Sequence, residues 1–403
     1  MQYESLTKLY YKKALVIETE YNNRFNSALT RHFAINIRQY GRKKSFPAFL
    51  CYTEELLAII EKIYIFYGEI IHITAAVPPV VLHQFSLMCI VDEVQSTNDI
   101  EGVRSTRREI KEILDGNSKK SDRHRDIINK YNNLLTAVDI PLFTCEDLRQ
   151  LYDDFAHDEV VKENPANRLD GKLFRAGFVD VTTPTGKTIH RGLYSEDEIL
   201  TTMTTALQIL HDENIPTLIR LALFHYFFAY IHPFYDGNGR TARFITSYFL
   251  RKHFNPVAAL RLSVTLKRQQ HKYYALFSEC DSELNRGDMT IFANGFLQLV
   301  ADSLEDTVNL LQRKNEQIKK YKRTIDTMAL GDDFSFEIYY ILLQAALFYG
   351  QGVTIKQLME ITGKSRGTIQ KRLDDMPKEH LIKIRKNSYY FKLNLLMLKS
   401  KTC

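Results

Sequence analysis

Residues 232–243 read HPFYDGNGRTAR, and FITSYFLRKHF follows at helical spacing. An apolar run, Leu221 to Ile231, precedes the window and is bounded by Arg220 and Pro233, so a loop joins two helices here. Gly237, Asn238 and Gly239 let the backbone turn sharply just as the second helix begins. Successive N–H groups and the helix N-terminus then form a concave anion site. Arg240 and Arg243 lie three apart on that helix, around Thr241 and Ala242, so both guanidinium groups can face one anion. Asp236 puts a hard carboxylate oxygen at the lip, suited to a Mg²⁺ that keeps most of its waters. His232 precedes the loop and can serve as a base near neutral pH. Anion cradle, metal carboxylate, paired arginines and base together describe phosphoryl-type transfer from a nucleotide.

Taken singly, each part has a plain structural reading: a histidine after an apolar helix, a GNG turn, a solvated RxxR face. His232 and Asp236 have the spacing of helical metal ligands, but Pro233 and the glycines exclude the regular helix of a zinc HExxH site. No GxxxxGK[ST] phosphate loop occurs. The concurrence of all the parts in one short window is what selects the chemistry.

The same string matches every fixed position of HPFx[D/E]GNGRxxR, the signature of Fic-domain proteins, and the chain resembles that family over roughly residues 80–300. The resemblance implies adenylylation: transfer of AMP from ATP to a Ser, Thr or Tyr hydroxyl of a target protein or of the chain itself. His232 would deprotonate the hydroxyl, and Asp236 would hold Mg²⁺ or Mn²⁺ on the α- and β-phosphates. Backbone N–H groups of Gly237 to Gly239, with Asn238 and Arg240, would stabilise the developing charge. Thr241 and Ala242 would complete the ATP-binding turn, and Arg243 would hold the γ-phosphate. Tyr274, of the adjacent pair Tyr273 and Tyr274, matches a residue on the adenine side in relatives; on residues alone the pair also reads as core packing.

Upstream, GKLFRAGFVDVTTPTGKTIHRG at 171–192 contains two β-leaning runs around a Thr/Pro/Gly turn, which reads as a hairpin. In the family this hairpin is a flap that registers the target segment through strand-like main-chain contacts. Its arms would be Phe178 to Thr183 and Lys187 to His190, with Val181, Thr182, Thr183, Lys187, Thr188, Ile189 and His190 as the docking residues. The residues alone also allow an edge hairpin with no ligand. Ser195 to Glu198 reads as a capping box for the helix that follows.

Thr97 to Gly102, TNDIEG, fits [S/T]xxxE[G/N] and resembles the inhibitory-helix motif of the family. Glu101 at a helix end can pair bidentately with Arg243. A γ-phosphate needs the same guanidinium, so low basal activity with the switch in the same chain is implied. Relatives of this architecture also remove AMP, the same glutamate orienting the attacking water. The alternative for Glu101 is an N-capping or surface carboxylate.

The formal charge of +6 is unevenly placed. Residues 351–403 hold 12 Lys/Arg against 4 Asp/Glu, while the other 350 carry 42 against 44. In the tail, Val353-Thr354 caps one helix, Gly363-Lys364 turns, and Ser365 caps RGTIQKRLDDM. Leu381 to Arg385 and Tyr389 to Leu393 alternate as strands. This order resembles a winged helix-turn-helix, with Arg366, Gln370 and Lys371 placed for a major groove and Lys383, Arg385, Lys386 and Lys392 for phosphates. Winged helices also dock proteins, so DNA through residues 351–403 and a protein partner both stand.

Ten prolines and seventeen glycines leave long helical stretches. The expected fold is mainly α: a Fic helical core with a small β-hairpin flap, plus a C-terminal winged-helix domain. The expected divisions are an N-terminal helical region at 1–125, a catalytic core at 126–330 and the winged helix at 331–403. Leu297, Leu304, Leu311, Ile318 and Ile325 fall seven apart, and incomplete alternate positions favour a long amphipathic helix over a coiled coil. Five scattered cysteines (Cys51, Cys89, Cys145, Cys280, Cys403) with no CxxC fit a reducing compartment. No secretory or membrane-spanning pattern is read, so a cytoplasmic location is expected, without a membrane partner. Pairing of Fic domains in the family implies a homodimer. Two function classes remain: an auto-inhibited adenylyltransferase, and a DNA-binding regulator whose Fic domain is vestigial or modifies only itself.

Overall fold

Apolar residues recur at helical spacing through most of the chain, and the computed structural model is accordingly mainly α. It describes residues 3–115, 123–136, 138–183, 185–328, 331–348, 352–385 and 388–399. The turn residue Pro184, the wing residues Lys386 and Asn387, and Cys403 lie outside the described residues. The chain divides into two compact units, one of Met1–Phe66 with Ile90–Leu304, the other of Tyr67–Cys89 with Glu305–Cys403. These divisions do not coincide with the boundaries read near 125 and 331.

The first unit differs from expectation at its start. The N-terminal region is not wholly helical: β1 (Thr30–Arg38) and β2 (Ser45–Cys51) form an antiparallel hairpin, with an irregularity between His32 and Asn36. Phe33, Ile35 and Ile37 are buried in alternation, the period of a half-buried strand. That alternation is in the sequence, and surrounding helical runs mask it.

Long helices α1 (Glu54–Thr74) and α2 (Pro79–Ile100) follow, separated at Pro78-Pro79 as the breakers imply. Then come β3 (Asp180–Thr182) and β4 (Thr188–Arg191), α3 (Glu196–His211), α4 (Thr217–Ile231), α5 (Asn238–His253), α6 (Gln270–Asp281) and α7 (Thr290–Asp326). Helix α4 is buried nearly all round, which is what an apolar helix without a polar face requires. Its His225 is neutralised by burial, which pushes the pKa down to about 3. The ring is held between Thr246 Oγ1 at 2.8 Å and Tyr273 Oη at 2.7 Å. The Ser195 capping box does not form: Ser195 stands at the N-cap of α3, but its side chain makes no cap hydrogen bond. Glu196 instead accepts from the backbone N–H groups of Lys172, Leu173 and Phe174 at 3.0, 2.7 and 2.9 Å, and so fixes the chain leading into β3.

In the second unit, α8 (Asp333–Phe348) precedes β5 (Val353–Thr354), α9 (Ile355–Thr362), α10 (Arg366–Asp375), β6 (Leu381–Arg385) and β7 (Tyr389–Leu393). Thr354 and Gln357 form a reciprocal capping box, Gly363 ends α9 at φ 67°, and Ser365 accepts from Thr368 N–H. The strands pair in the order β5-β7-β6. Leu297, Leu304, Leu311, Ile318 and Ile325 are all buried along α7, so that apolar row is covered within the chain. Cys51, Cys89, Cys145 and Cys280 are buried and in no disulfide. Among the described residues no helix is long and apolar enough to cross a membrane.

Candidate active site

The loop from α4 to α5 is bracketed by left-handed residues. His232 caps α4 at φ 53°, ψ 62°, and Gly237 opens α5 at φ 82°. A non-glycine residue in that region costs energy and persists only where its surroundings hold it. The His232 N–H is bound to Phe228 O, and Nδ1 lies 3.2 Å from Ala229 O. A proton on Nδ1 leaves Nε2 as the acceptor, the tautomer a general base needs. Burial, then the charge of His190, push the His232 pKa down to about 3, so the ring is neutral at pH 7.

At the N-terminus of α5, Gly237 gives no side-chain cap, which leaves the first-turn N–H groups for an anion. Asn238 turns inward: Oδ1 accepts from Phe234 N–H at 3.0 Å and Nδ2 donates to Phe234 O at 2.7 Å. Its side chain therefore staples the loop, a use different from the charge-stabilising role carried over by resemblance. Thr241 donates its hydroxyl to Gly237 O at 2.8 Å, and Ala242 is buried. Arg240 is fully buried; Nη1 meets Glu159 Oε1 at 2.8 Å, while Nε and Nη2 have no partner among the described residues. Glu159 is itself held by His124, through Nδ1 at 2.9 Å and the backbone N–H at 3.0 Å. A buried guanidinium with unpartnered N–H groups is costly unless an anion completes it, and a nucleotide phosphate fits that need. Asp236 is half-buried beside the loop, and its carbonyl accepts from Tyr152 Oη at 3.1 Å. Among the described residues no group of three or more His, Cys, Asp or Glu could hold a metal ion. One carboxylate suits Mg²⁺ or Mn²⁺ held mostly by phosphates and water.

Arg243 is almost fully buried and is met from α2. Nη2 lies 2.8 Å from Glu101 Oε1, Nε donates to Thr97 Oγ1 at 2.8 Å, and Nη2 also reaches Thr97 O at 3.1 Å. The expected bidentate pair does not form; one carboxylate oxygen engages Nη2, and Thr97 takes Nε and shares Nη2. Gly102 ends α2 in the left-handed conformation at φ 72°, which sets Glu101 at the helix end. A Cβ on Gly239 would lie 2.1 Å from Glu101 Oε1, so the carboxylate rests against the first turn of α5.

Two turns up α2 sits Glu93, on the same face as Thr97 and Glu101 and missed in the sequence. It accepts from Ser263 Oγ at 2.6 Å and from Ser263 N–H at 2.9 Å, fully buried. Burial raises its pKa to about 7, with Ser263, Arg243 and Arg261 opposing. A raised carboxyl pKa stabilises the fold fully below the unfolded value near 4.5, and that contribution is lost as pH rises through about 7. We expect Glu93→Gln to melt close to the parent near pH 5. It should gain on the parent as pH rises from 5 to 7 and level off above, by up to on the order of 3 kcal/mol. Parallel melting curves across that range would show the charge to be tolerated.

Tyr273 is core, as its bond to His225 shows; Tyr274 is exposed, with Oη 3.4 Å from Ile100 O beside Glu101. The hairpin forms, with β3 shorter than the arm read from sequence, β4 displaced by one residue from its arm, and a register shift after Val181. Thr182, Lys187 and Ile189 are exposed, Val181, Thr183 and Thr188 half-buried. His190 is not an outward docking residue: it is buried, with Nε2 2.7 Å from Tyr230 O and Nδ1 3.2 Å from Asp281 Oδ2.

A mainly helical domain with an uncapped, arginine-lined helix N-terminus behind a neutral histidine presents an anion-binding site in form. Residues 142–250 match the model of the Fic/DOC family, and the chain carries a Fic domain. Protein adenylyltransferase Fic of Drosophila yakuba is 28% identical over 223 residues, covering 52% of this chain and 39% of that protein. Its counterpart in Drosophila erecta is 30% identical over 224 residues, covering 52% and 39%. The chain thus spans about two fifths of the length of these curated relatives. A crystal structure of a Fic family protein from Desulfovibrio desulfuricans shares the fold, with a TM-score of 0.53 at 20% identity over 85% of this chain and 97% of that one.

Proposed function

We propose that this chain is an auto-inhibited protein adenylyltransferase, moving AMP from ATP to a Ser, Thr or Tyr hydroxyl. The observation that carries the reading is Glu101: its carboxylate contacts Arg243 and rests against Gly239, where an incoming anion would be held. A carboxylate there mimics and competes with a phosphate. In the reaction, the hydroxyl oxygen bonds to the α-phosphorus while the bond to the β-phosphate oxygen breaks, and diphosphate leaves. His232 Nε2 takes the hydroxyl proton. The first-turn N–H groups of α5 and Arg240 stabilise the α-phosphate charge, and Arg243 takes the γ-phosphate once Glu101 withdraws. Asp236 would hold Mg²⁺ or Mn²⁺, which supplies neutralisation of phosphate charge. Incubating the full chain with ATP labelled on the α- or on the γ-phosphorus tests the reaction type. Label must pass to protein from the α position; transfer from the γ position would make the chain a kinase.

A second reading concerns the basic tail. The helix, turn, helix, hairpin order with sheet order β5-β7-β6 supports the winged helix-turn-helix reading, and Lys364, Arg366, Lys371, Lys383 and Arg385 are all exposed on it. On this reading α10 enters a major groove and the wing meets phosphates. Binding of the full chain to duplex DNA should weaken steeply with salt, and Lys383→Ala with Arg385→Ala should reduce the log–log slope by about 2. A salt-independent affinity, or none, assigns the tail to protein docking.

A further inference from the structure

The last carbonyls of a helix need donors from elsewhere. Those at the end of α4, and the two that follow, are supplied by the segment that carries the hairpin. His190 Nε2 meets Tyr230 O, Leu193 N–H donates to Ile231 O at 3.1 Å, and Arg175 N–H donates to Pro233 O at 3.2 Å. The Arg175 guanidinium does the rest: Nε donates to His232 O at 2.8 Å and Nη2 to Ile231 O at 3.3 Å. Its other N–H groups hold Gly177 O at 2.6 Å and Leu193 O at 2.8 Å, the residues flanking the two strands.

Arg175 is fully buried, and these four partners are all backbone carbonyls. Burial lowers its pKa to about 10, against Tyr235 and Asp170, which leaves it charged at neutral pH. A buried cation at the end of α4 is favoured by the helix dipole, and only a planar fork can reach carbonyls on both sides. The space is closed by Gly192: a Cβ there would lie 2.3 Å from Arg175 Nη2 and 2.8 Å from His232 Cβ. A left-handed histidine at φ 53° thus has its carbonyl gripped by a residue that also ties the feet of the hairpin.

We infer that Arg175 is a positioning residue for His232, holding the strained backbone so that the imidazole keeps its aim, and joining the hairpin rigidly to the base. The inference rests on His232 being the base. It is tested in the full chain carrying Glu101→Gly, with Arg175→Lys, which keeps the charge and loses the fork. The rate constant for adenylylation should fall about 30- to 100-fold while the KM for ATP stays within about twofold, as expected for a 2–3 kcal/mol loss confined to the transition state. In a His232→Ala background the same change should alter the residual rate by less than about threefold. A lysine variant with the parent rate overturns the inference, as does an undiminished effect in the His232→Ala background. If His232→Ala itself keeps the parent rate, the base assignment has failed instead. A readout independent of activity is the imidazole signal of His232 in NMR spectra. Arg175→Lys should shift it and leave the signal of buried His225 in place; an unmoved His232 signal overturns the inference. Should the His225 signal also collapse, marking a failed fold, Gly192→Ala crowds the same fork with the arginine retained, and the same shift is expected from it.

Discussion

Glu101→Gly is expected, on the proposed function, to raise auto-adenylylation by roughly 10- to 100-fold. The size follows from what the change releases. A hydrogen bond to a charged group contributes about 1.5–3 kcal/mol, and 1.4 kcal/mol is a factor of ten. The γ-phosphate must displace the Glu101 carboxylate from Arg243 before ATP can sit productively, so removing the carboxylate returns that free energy to substrate binding in the reactive pose. The arginine itself stays in place, because Thr97 holds Nε and Nη2 independently at 2.8 and 3.1 Å. The fold also tolerates the change: Glu101 is exposed, and it lies at the C-terminal end of α2, where a negative charge opposes the helix dipole. Initial rates with ATP labelled on the α-phosphorus give the measurement, and adding Arg243→Ala to Glu101→Gly should remove the gain. A rate equal to or below the parent's would show that Glu101 is a surface carboxylate with no part in control.

The two ends of this contact differ in how visible they were beforehand. Loop and helix chemistry in residues 232–243 is local: glycines set the turn, the following apolar spacing sets the helix, and both survive folding unchanged. The motif at Thr97–Gly102 was also legible, because a helix ending at a glycine places Glu101 by short-range geometry. What Arg243 does with its donors was not, since the split between Glu101 and Thr97 depends on how α2 lies against α5. The side-chain contacts of Asn238 were illegible for a related reason. Its amide had two satisfactory destinations, a ligand or the Phe234 backbone, and only the closed loop selects the second. Arg175 and Glu93 show a third kind of opacity. Both are charged residues that sequence places at the surface by default, and both are fully buried because backbone or hydroxyl groups far along the chain meet them.

His232→Ala is expected to reduce adenylylation to below about 1% of the parent in the Glu101→Gly background, at the lower end of the 10²–10⁴ that a general base contributes. The lower end is the right expectation on two grounds. First, phosphoryl-type transfer proceeds through a loose transition state in which the nucleophile gives up its proton late. Second, a ring whose pKa is pushed down to about 3, chiefly by burial and then by His190, is a weak acceptor in the free protein. ATP bound beside it brings negative charge, which raises the imidazole pKa toward the neutral range and strengthens it as a base when the hydroxyl is in place. The pH dependence separates the two states. kcat/KM reports the free protein, where the ring stays unprotonated from pH 8 down to 5, so acidification should remove no activity through His232 in that interval. kcat reports the complex, and its acid limb should lie at higher pH than that of kcat/KM. Affinity for ATP should change by less than about twofold in His232→Ala, because the imidazole stands across the loop from the first turn of α5 and donates to Ala229 O rather than to the cradle. A variant that binds ATP normally and adenylylates at the parent rate would remove His232 from the chemistry. An acid limb at 6.5 in kcat/KM would instead place the ring in water, against the desolvation that holds its pKa down.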